Sequence, residues 1–89
     1  IYLTRGNHET KNMNKLYGFE GEVKAKYDDK IFELFLEVFC YLPLAAVIEN
    51  KVFVTHGGLP VTEGVTLDDI RKIKRGTEPP ESGLMSDLL

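Results

Sequence analysis

Two stretches of the chain, Ile1–Glu9 (IYLTRGNHE) and Lys51–Leu59 (KVFVTHGGL), share one pattern. Each begins with apolar and β-branched residues and continues into a polar segment that contains glycine. Such runs predict strands, and glycine permits the sharp turn that ends them. We therefore expect two strands, Ile1–Thr4 and Lys51–Thr55, each followed by a loop that carries a histidine. Strand ends of this kind lie at one edge of a sheet, where ligand sites collect.

The clearest helix is predicted between Asp29 and Tyr41, where apolar residues recur at three- and four-residue intervals. Asp28 or Asp29 is the expected N-cap, and Pro43 ends the helix. The predicted apolar stripe consists of Ile31, Leu34, Phe35, Val38, Phe39 and Leu42.

The shorter elements are predicted from turn and capping residues. Glu49-Asn50 is the expected turn of a hairpin, and Thr66 with Asp69 has the spacing of a capping box. The predicted ranges are Thr10–Tyr17, Glu20–Tyr27, Leu67–Ile73 and Gly83–Leu89 for helices, and Leu44–Ile48 for a strand. The order of strand, helices, strand pair and helix indicates a mixed α/β layer architecture.

Length and composition limit the class of protein. The 89 residues, 43% hydrophobic and 28% charged, suffice for one small globular domain with a thin core. The net charge of −3 gives no support for nucleic-acid binding, which uses a basic face. Neither a membrane-spanning run nor a signal peptide is apparent. We therefore expect neither nucleic acid nor a membrane as a partner, and a cytoplasmic location with the nucleus as a second one.

Cys40 is the only cysteine, so no internal disulfide is expected and a reducing compartment is the default. It lies in an apolar run, where a buried structural thiol is expected rather than a nucleophile. Both ends of the chain fall inside apolar patterns, at Ile1 and at Leu89. We expect residues 1–89 to be a segment of a longer protein, truncated at both ends.

Asn7 and His8 are the first candidates for chemistry. The amide oxygen of Asn7 is a ligand that hard and borderline cations accept, and His8 can donate a proton to a leaving oxygen. Arg5 and Glu9 flank them and are expected to pair and to stiffen the loop. The alternative is an ordinary polar turn with Asn7 in the left-handed region and His8 solvated.

His56 is the second candidate, because imidazole is the commonest transition-metal ligand and the glycines that follow leave room for an ion. The alternative is a plain strand-end histidine beside a glycine turn. Together the two loops favour phosphate ester hydrolysis, which needs an activated water, neutralised phosphoryl oxygens and an acid for the leaving alkoxide. Two cations supply the first two requirements and a histidine supplies the third.

Arg5–Glu9 resembles the Gly-Asn-His-Glu motif of the metallophosphoesterases, and His56–Leu59 resembles the His-Gly-Gly-Leu motif of the PPP protein serine/threonine phosphatases. Asn12–Tyr27, Gly64–Ile73 and Pro79–Gly83 are similar to the type-5 branch of that family, whose members carry tetratricopeptide repeats. The resemblance covers essentially the whole chain. It implies part of a catalytic domain, with the family's β-sandwich flanked by helices.

By this resemblance, Asn7 and His56 are ligands of the same metal, Asn7 also touches the substrate phosphate, and His8 is the general acid. The implied enzyme hydrolyses phosphoserine and phosphothreonine in proteins by direct attack of a metal-bridging hydroxide. The implied cofactors are two divalent metal ions, either manganese or iron with zinc. Phosphoproteins are the implied substrates, and chaperone or regulatory partners would bind through regions that this chain lacks.

The other metal-ligand and phosphate-arginine motifs of the family do not occur in these residues. The 89 residues alone are therefore expected to show no turnover. Two alternatives stay open. One is a nucleotide-polyphosphate metallohydrolase, against which the run Asn12–Tyr27 argues. The other is a non-catalytic phosphatase-like interaction module, against which the presence of Asn7, His8 and His56 argues.

Overall fold

The computed structural model describes all 89 residues and contains five helices and one antiparallel strand pair. The elements are α1 (Lys11–Leu16), α2 (Phe19–Lys26), α3 (Asp29–Tyr41), β1 (Ala45–Ile48), β2 (Val52–Thr55), α4 (Leu67–Arg71) and α5 (Leu84–Leu88). The predicted mixed α/β class is confirmed. None of these helices has the length and apolar character needed to cross a membrane.

Helix α3 has the predicted bounds because both of its ends are set locally. The carboxylate of Asp28 accepts the N–H of Ile31 at 2.8 Å, which makes Asp28 the N-cap. At the other end Leu42 has extended backbone geometry, as expected for the residue before Pro43. Helix α2 packs against α3, and together they bury Val23, Phe32 and Leu36.

The predicted apolar stripe of α3 is only partly buried. Leu34, Phe35 and Val38 are 54%, 37% and 50% exposed, whereas Phe32 and Leu36 are buried. The predicted stripe was partly right, since Ile31 and Phe39 pack against this core. It misses the buried face centred on Phe32 and Leu36, because α3 carries apolar residues around much of its circumference. Sequence periodicity alone does not show which part of a broad apolar surface a neighbouring helix will cover.

Strands β1 and β2 form the predicted hairpin, in a register that pairs Ala45 with Thr55 and Ile48 with Val52. The turn residues Glu49 and Asn50 have φ angles of 52° and 53°. The N–H of Lys51 donates to the carbonyl of Ile48 at 3.0 Å and closes the turn around these two left-handed residues, whose backbone twist matches that of the strands. The hairpin places His56 directly after β2, at the end of a paired strand.

The strand predicted at Ile1–Thr4 is wrong for this chain. These residues have no regular structure, and Ile1 and Tyr2 are almost fully exposed. A strand requires a partner that pairs with its backbone, and β1 and β2 pair only with each other. The first long-range backbone contact comes at Arg5, whose N–H donates to the carbonyl of Pro43 at 2.7 Å.

A second core lies beside the hairpin. It consists of Leu44, Met85, Leu88 and Leu89, with Phe53, Ile70, Ile73 and Leu84 packed against it. The capping box of Thr66 and Asp69 is present and starts α4 as predicted. Helix α4 ends at Arg71, two residues before the predicted end at Ile73, because Ile73 turns into this core.

The end of helix α5 packs against Gly57, the residue that follows His56. The N–H of Gly57 donates to the carbonyl of Leu88 at 2.8 Å, and the hydroxyl of Thr55 donates to the same oxygen at 2.9 Å. A Cβ atom on Gly57 would lie 2.7 Å from the carbonyl carbon of Leu89 and 2.8 Å from the carbonyl oxygen of Asp87. This approach between two backbones is open only to glycine.

We therefore predict that Gly57→Ala destabilises the protein by about 1–3 kcal/mol, the usual cost of overpacking against atoms that cannot move aside. Gly21→Ala is the matched control, because Gly21 lies within α2 and a Cβ there would meet no atom within 4 Å. That control should be neutral or stabilising by up to about 1 kcal/mol. Urea unfolding of both variants tests the prediction, which fails if Gly57→Ala is as stable as Gly21→Ala.

Candidate functional site

The structure brings together two of the three predicted site residues. Nε2 of His56 lies 3.1 Å from Oδ1 of Asn7, although the two residues are 49 positions apart. Both side chains are exposed at the surface. An imidazole nitrogen and an amide oxygen thus converge at one point that solvent can reach. Only the loop of His56 follows a strand, so the expected convergence occurs although Ile1–Thr4 forms no strand.

Gly6 makes room for this convergence. A Cβ atom on Gly6 would lie 3.1 Å from both Cδ2 and Cε1 of His56, and 2.8 Å from a carboxylate oxygen of Glu9. The imidazole therefore packs directly on the backbone of Gly6. Any larger residue would push the ring of His56 away from Asn7 or displace Glu9.

Arg5 holds the loop that carries Asn7. Its side chain is fully buried, and it donates from Nε to the carbonyl of Glu9 at 2.8 Å and from Nη1 to the carbonyl of Thr77 at 3.0 Å. The predicted pairing of Arg5 with Glu9 thus occurs through the backbone carbonyl of Glu9. The carboxylate of Glu9 instead accepts the N–H of Gly6 at 2.9 Å.

Two further hydrogen bonds close the loop on itself. The hydroxyl of Thr10 donates to the carbonyl of Asn7 at 2.8 Å, and the N–H of Glu9 donates to the carbonyl of Gly6 at 3.2 Å. Thr10 is buried. Hydrogen bonds within the loop, together with the one from Arg5, therefore fix the backbone that carries Asn7 and His8.

His8 faces a different direction from Asn7. Its ring packs on Tyr17, with 4.8 Å between ring centroids and 39° between the planes. Both rings border a small cavity that Asn14, Phe19 and Phe39 also line. No carboxylate forms an ion pair with His8. The structure therefore orients the imidazole through an aromatic contact.

Asn7 and His56 are the kinds of ligand that a divalent cation accepts, and they converge without rearrangement of the loops. They fit part of a metal site. No group of three or more His, Cys, Asp or Glu side chains converges anywhere in these residues. Catalytic zinc sites, for comparison, use three protein ligands, so two donors leave the coordination sphere incomplete.

Cys40 lies close to this loop but outside the candidate site. It is half-buried, and burial raises the pKa of its thiol, with a smaller opposing effect from the nearby Arg5. A thiol with a raised pKa is a poor nucleophile. The structure thus supports the structural role expected for Cys40.

Sequence reasoning missed the residues that support the site from a distance. Thr55 and Gly57 tie the His56 loop to α5, while Thr77 and Glu78 receive the guanidinium of Arg5. Arg75 is half-buried and donates to the carbonyl of Leu42. No local pattern marks these residues, since each acts on a partner that is distant in sequence.

Comparison with known proteins shows that the chain is similar to protein serine/threonine phosphatases. It is 66% identical over 89 residues to serine/threonine-protein phosphatase 5 of Arabidopsis thaliana and 65% identical to that of Homo sapiens, covering all of this chain and 16% and 18% of those proteins. A solved structure of a protein serine/threonine phosphatase from Saccharomyces cerevisiae, described as similar to human phosphatase PP5, superposes with a TM-score of 0.96 at 50% identity. That match covers 99% of this chain and 28% of the solved chain.

The chain therefore spans less than a fifth of the length of these two sequence relatives. The resemblance to the type-5 branch of protein serine/threonine phosphatases is confirmed by both comparisons. The fold is that of a metallophosphoesterase, because the superposition with the yeast enzyme covers nearly every residue. The family model of calcineurin-like phosphoesterases matches residues 1–89, so the chain belongs to the calcineurin-like phosphoesterase family.

Proposed function

We propose that residues 1–89 are part of the catalytic domain of a metal-dependent protein serine/threonine phosphatase, and that the intact protein hydrolyses phosphoserine and phosphothreonine. The observation that carries the proposal is the 3.1 Å approach of Asn7 Oδ1 and His56 Nε2. It joins the two motifs that resemble those of the family. Similarity to the type-5 phosphatases over the whole chain supports the same substrate class.

The proposed cofactors are two divalent metal ions, either manganese or iron with zinc. Bound at such a site, they would neutralise the phosphoryl oxygens and lower the pKa of a water molecule. Asn7 and His56 would hold one of them through the oxygen and nitrogen that converge in this structure. The exposed amide of Asn7 would also contact the substrate phosphate.

His8 is the proposed general acid. A serine or threonine side-chain oxygen is a poor leaving group as an alkoxide, and a proton from an imidazolium makes its departure easier. The exposed ring of His8 is accessible to a bound phosphoprotein, and Tyr17 limits its rotation from one side. Asn7 and His8 are adjacent, so one short loop would hold a metal ligand and the acid at a fixed separation.

The proposed partners are phosphoproteins bound at this site. Chaperone or regulatory proteins would bind through regions outside these residues, in the cytoplasm or the nucleus. The proposed partners and locations follow from the likeness to the type-5 branch. They are independent of the geometry of Asn7, His8 and His56.

The first prediction concerns the role of His8 in the full-length protein that contains this chain. His8→Asn should lower kcat for a phosphopeptide by about 10²–10⁴-fold, the usual contribution of general acid catalysis, with little change in the metal concentration needed. The loss should be much smaller for an aryl phosphate such as nitrophenyl phosphate, because the nitrophenolate ion is a good leaving group without a proton. Equal losses for both substrates would contradict the role of His8 as an acid.

His56→Asn is the contrasting variant and gives the second prediction. It should raise the manganese concentration needed for half-maximal activity by at least about 10–100-fold, the range for loss of a residue that only orients a ligand, since here the ligand itself is replaced by a weaker one. Its effect should be the same for the phosphopeptide and the aryl phosphate. Metal titration with both substrates measures this, and an unchanged metal requirement would remove His56 from the metal site.

The third prediction is that the isolated 89 residues have no measurable turnover, because only two proposed metal ligands come together and no carboxylate pairs with His8. The measurement is hydrolysis of an aryl phosphate by the isolated chain across a manganese titration. The full-length protein at the same concentration is the control. Manganese-dependent hydrolysis by the isolated chain would show that two ligands suffice.

A further inference from the structure

We propose that Glu78 is a positioning residue that fixes both ends of the loop 6–10, on which Asn7 and His8 lie. The catalytic consequence of this inference rests on the proposed function, but the loop contact itself does not. Glu78 directly precedes Pro79-Pro80, in a segment without a pattern that marks a functional residue.

One carboxylate contacts three separate parts of the chain. Oε2 of Glu78 accepts the backbone N–H of Lys11 at 3.0 Å. Oε1 lies 3.6 Å from Nη2 of Arg5 and 3.6 Å from the thiol of Cys40 in α3. Arg5 immediately precedes the loop 6–10 and Lys11 immediately follows it. The two ends of the loop are therefore held by the same side chain.

The contact with Lys11 supplies what α1 lacks locally. Thr10 is the N-cap residue, but its side chain makes no capping bond and donates instead to the carbonyl of Asn7. The first turn of α1 contains no acidic residue. A free N–H at a helix start needs an acceptor, and negative charge there is favourable. Glu78 provides both from 67 positions away.

The contact with Arg5 supplies a counter-charge to a fully buried guanidinium. Glu78 is the only carboxylate within 4.0 Å of Arg5, because the carboxylate of Glu9 faces the N–H of Gly6. A second guanidinium, that of Arg75, lies nearby. Burial lowers its pKa, and the positive charge of Arg5 lowers it further. Without Glu78 the fully buried guanidinium of Arg5 would lose its counter-charge while the like charge of Arg75 remained, which is a costly arrangement.

Loss of these contacts should therefore loosen the loop rather than remove a reacting group. The guanidinium of Arg5 donates to the carbonyl of Glu9, so a shift of the guanidinium would also move the loop 6–10 at Glu9. Small misplacements of a metal ligand or an acid reduce rates strongly, because reacting groups must stay within a narrow range of geometry. Glu78 thus acts on Asn7 and His8 through Arg5 and Lys11.

The experiment compares Glu78→Ala and Glu78→Gln in the full-length protein, with Glu63→Ala as the control. Glutamine keeps an oxygen acceptor for the N–H of Lys11 but removes the charge opposite Arg5. Alanine removes both. Glu63 is an exposed glutamate that makes none of the hydrogen bonds or ion pairs found for Glu78.

We expect Glu78→Ala to lower kcat for a phosphopeptide by about tenfold, the lower range for residues that orient metal ligands, with KM changed by less than about twofold. Glu78→Gln should recover part of the loss, and Glu63→Ala should match the wild type. In the metal-free protein, hydrogen exchange of amides 7–11 should be about tenfold faster in Glu78→Ala, because the N–H of Lys11 loses its acceptor.

Wild-type kcat together with wild-type exchange at amides 7–11 in Glu78→Ala would overturn the proposal. So would a lower melting temperature with unchanged kcat, which would show a purely structural role. If the wild-type protein hydrolyses no phosphopeptide, the proposed function fails, and hydrogen exchange alone then decides the loop contact. If Glu78→Ala does not fold, the kcat of Glu78→Gln decides, because glutamine removes only the charge opposite Arg5, and a wild-type kcat would overturn the proposal.

Discussion

The buried guanidinium of Arg5 constrains the whole candidate site. It is fully enclosed, yet it donates to backbone carbonyls on both sides, at Glu9 within the site loop and at Thr77 in the segment after α4. A buried charge is tolerated only where hydrogen bonds and a counter-charge surround it. The loop of Asn7, the segment around Thr77 and the end of α3 must therefore keep the positions that satisfy this one group.

The other half of the site is supported independently. His56 follows a strand that is paired in a hairpin, and the residues on either side of it bond to the end of α5 at Leu88. Gly57 permits that close approach, and Gly6 permits the ring of His56 to pack on the first loop. Asn7 and His56 thus meet because each loop is held by its own contacts and Gly6 leaves room for the ring of His56. Their side chains need no long-range flexibility to converge.

Much of the fold follows from local sequence. Asp28 and Pro43 set the bounds of α3, Glu49-Asn50 sets the hairpin, and Thr66 with Asp69 starts α4, because capping and turn chemistry act over three or four residues. The strand predicted at Ile1–Thr4 failed because strand formation depends on a partner elsewhere.

The same reason explains the exposed part of the α3 stripe, at Leu34 and Val38, where no neighbouring element covers an apolar residue. It also explains why Glu78 and Arg75 escaped notice. Their partners are distant in sequence, so the contacts that give them a role form only after folding. The proposed roles of Asn7, His8 and His56 were expected from motif resemblance, whereas the convergence of Asn7 with His56 required the folded chain.

Adjacent residues on the first loop face different surroundings, and this difference matters for the proposed chemistry. Asn7 meets His56, while His8 packs on Tyr17 at the edge of a small cavity. A metal ligand must keep its lone pair toward the ion, whereas an acid must reach the leaving group and exchange its proton with solvent. A turn that separates neighbouring side chains allows one short segment to serve both purposes, provided that its two ends are held still.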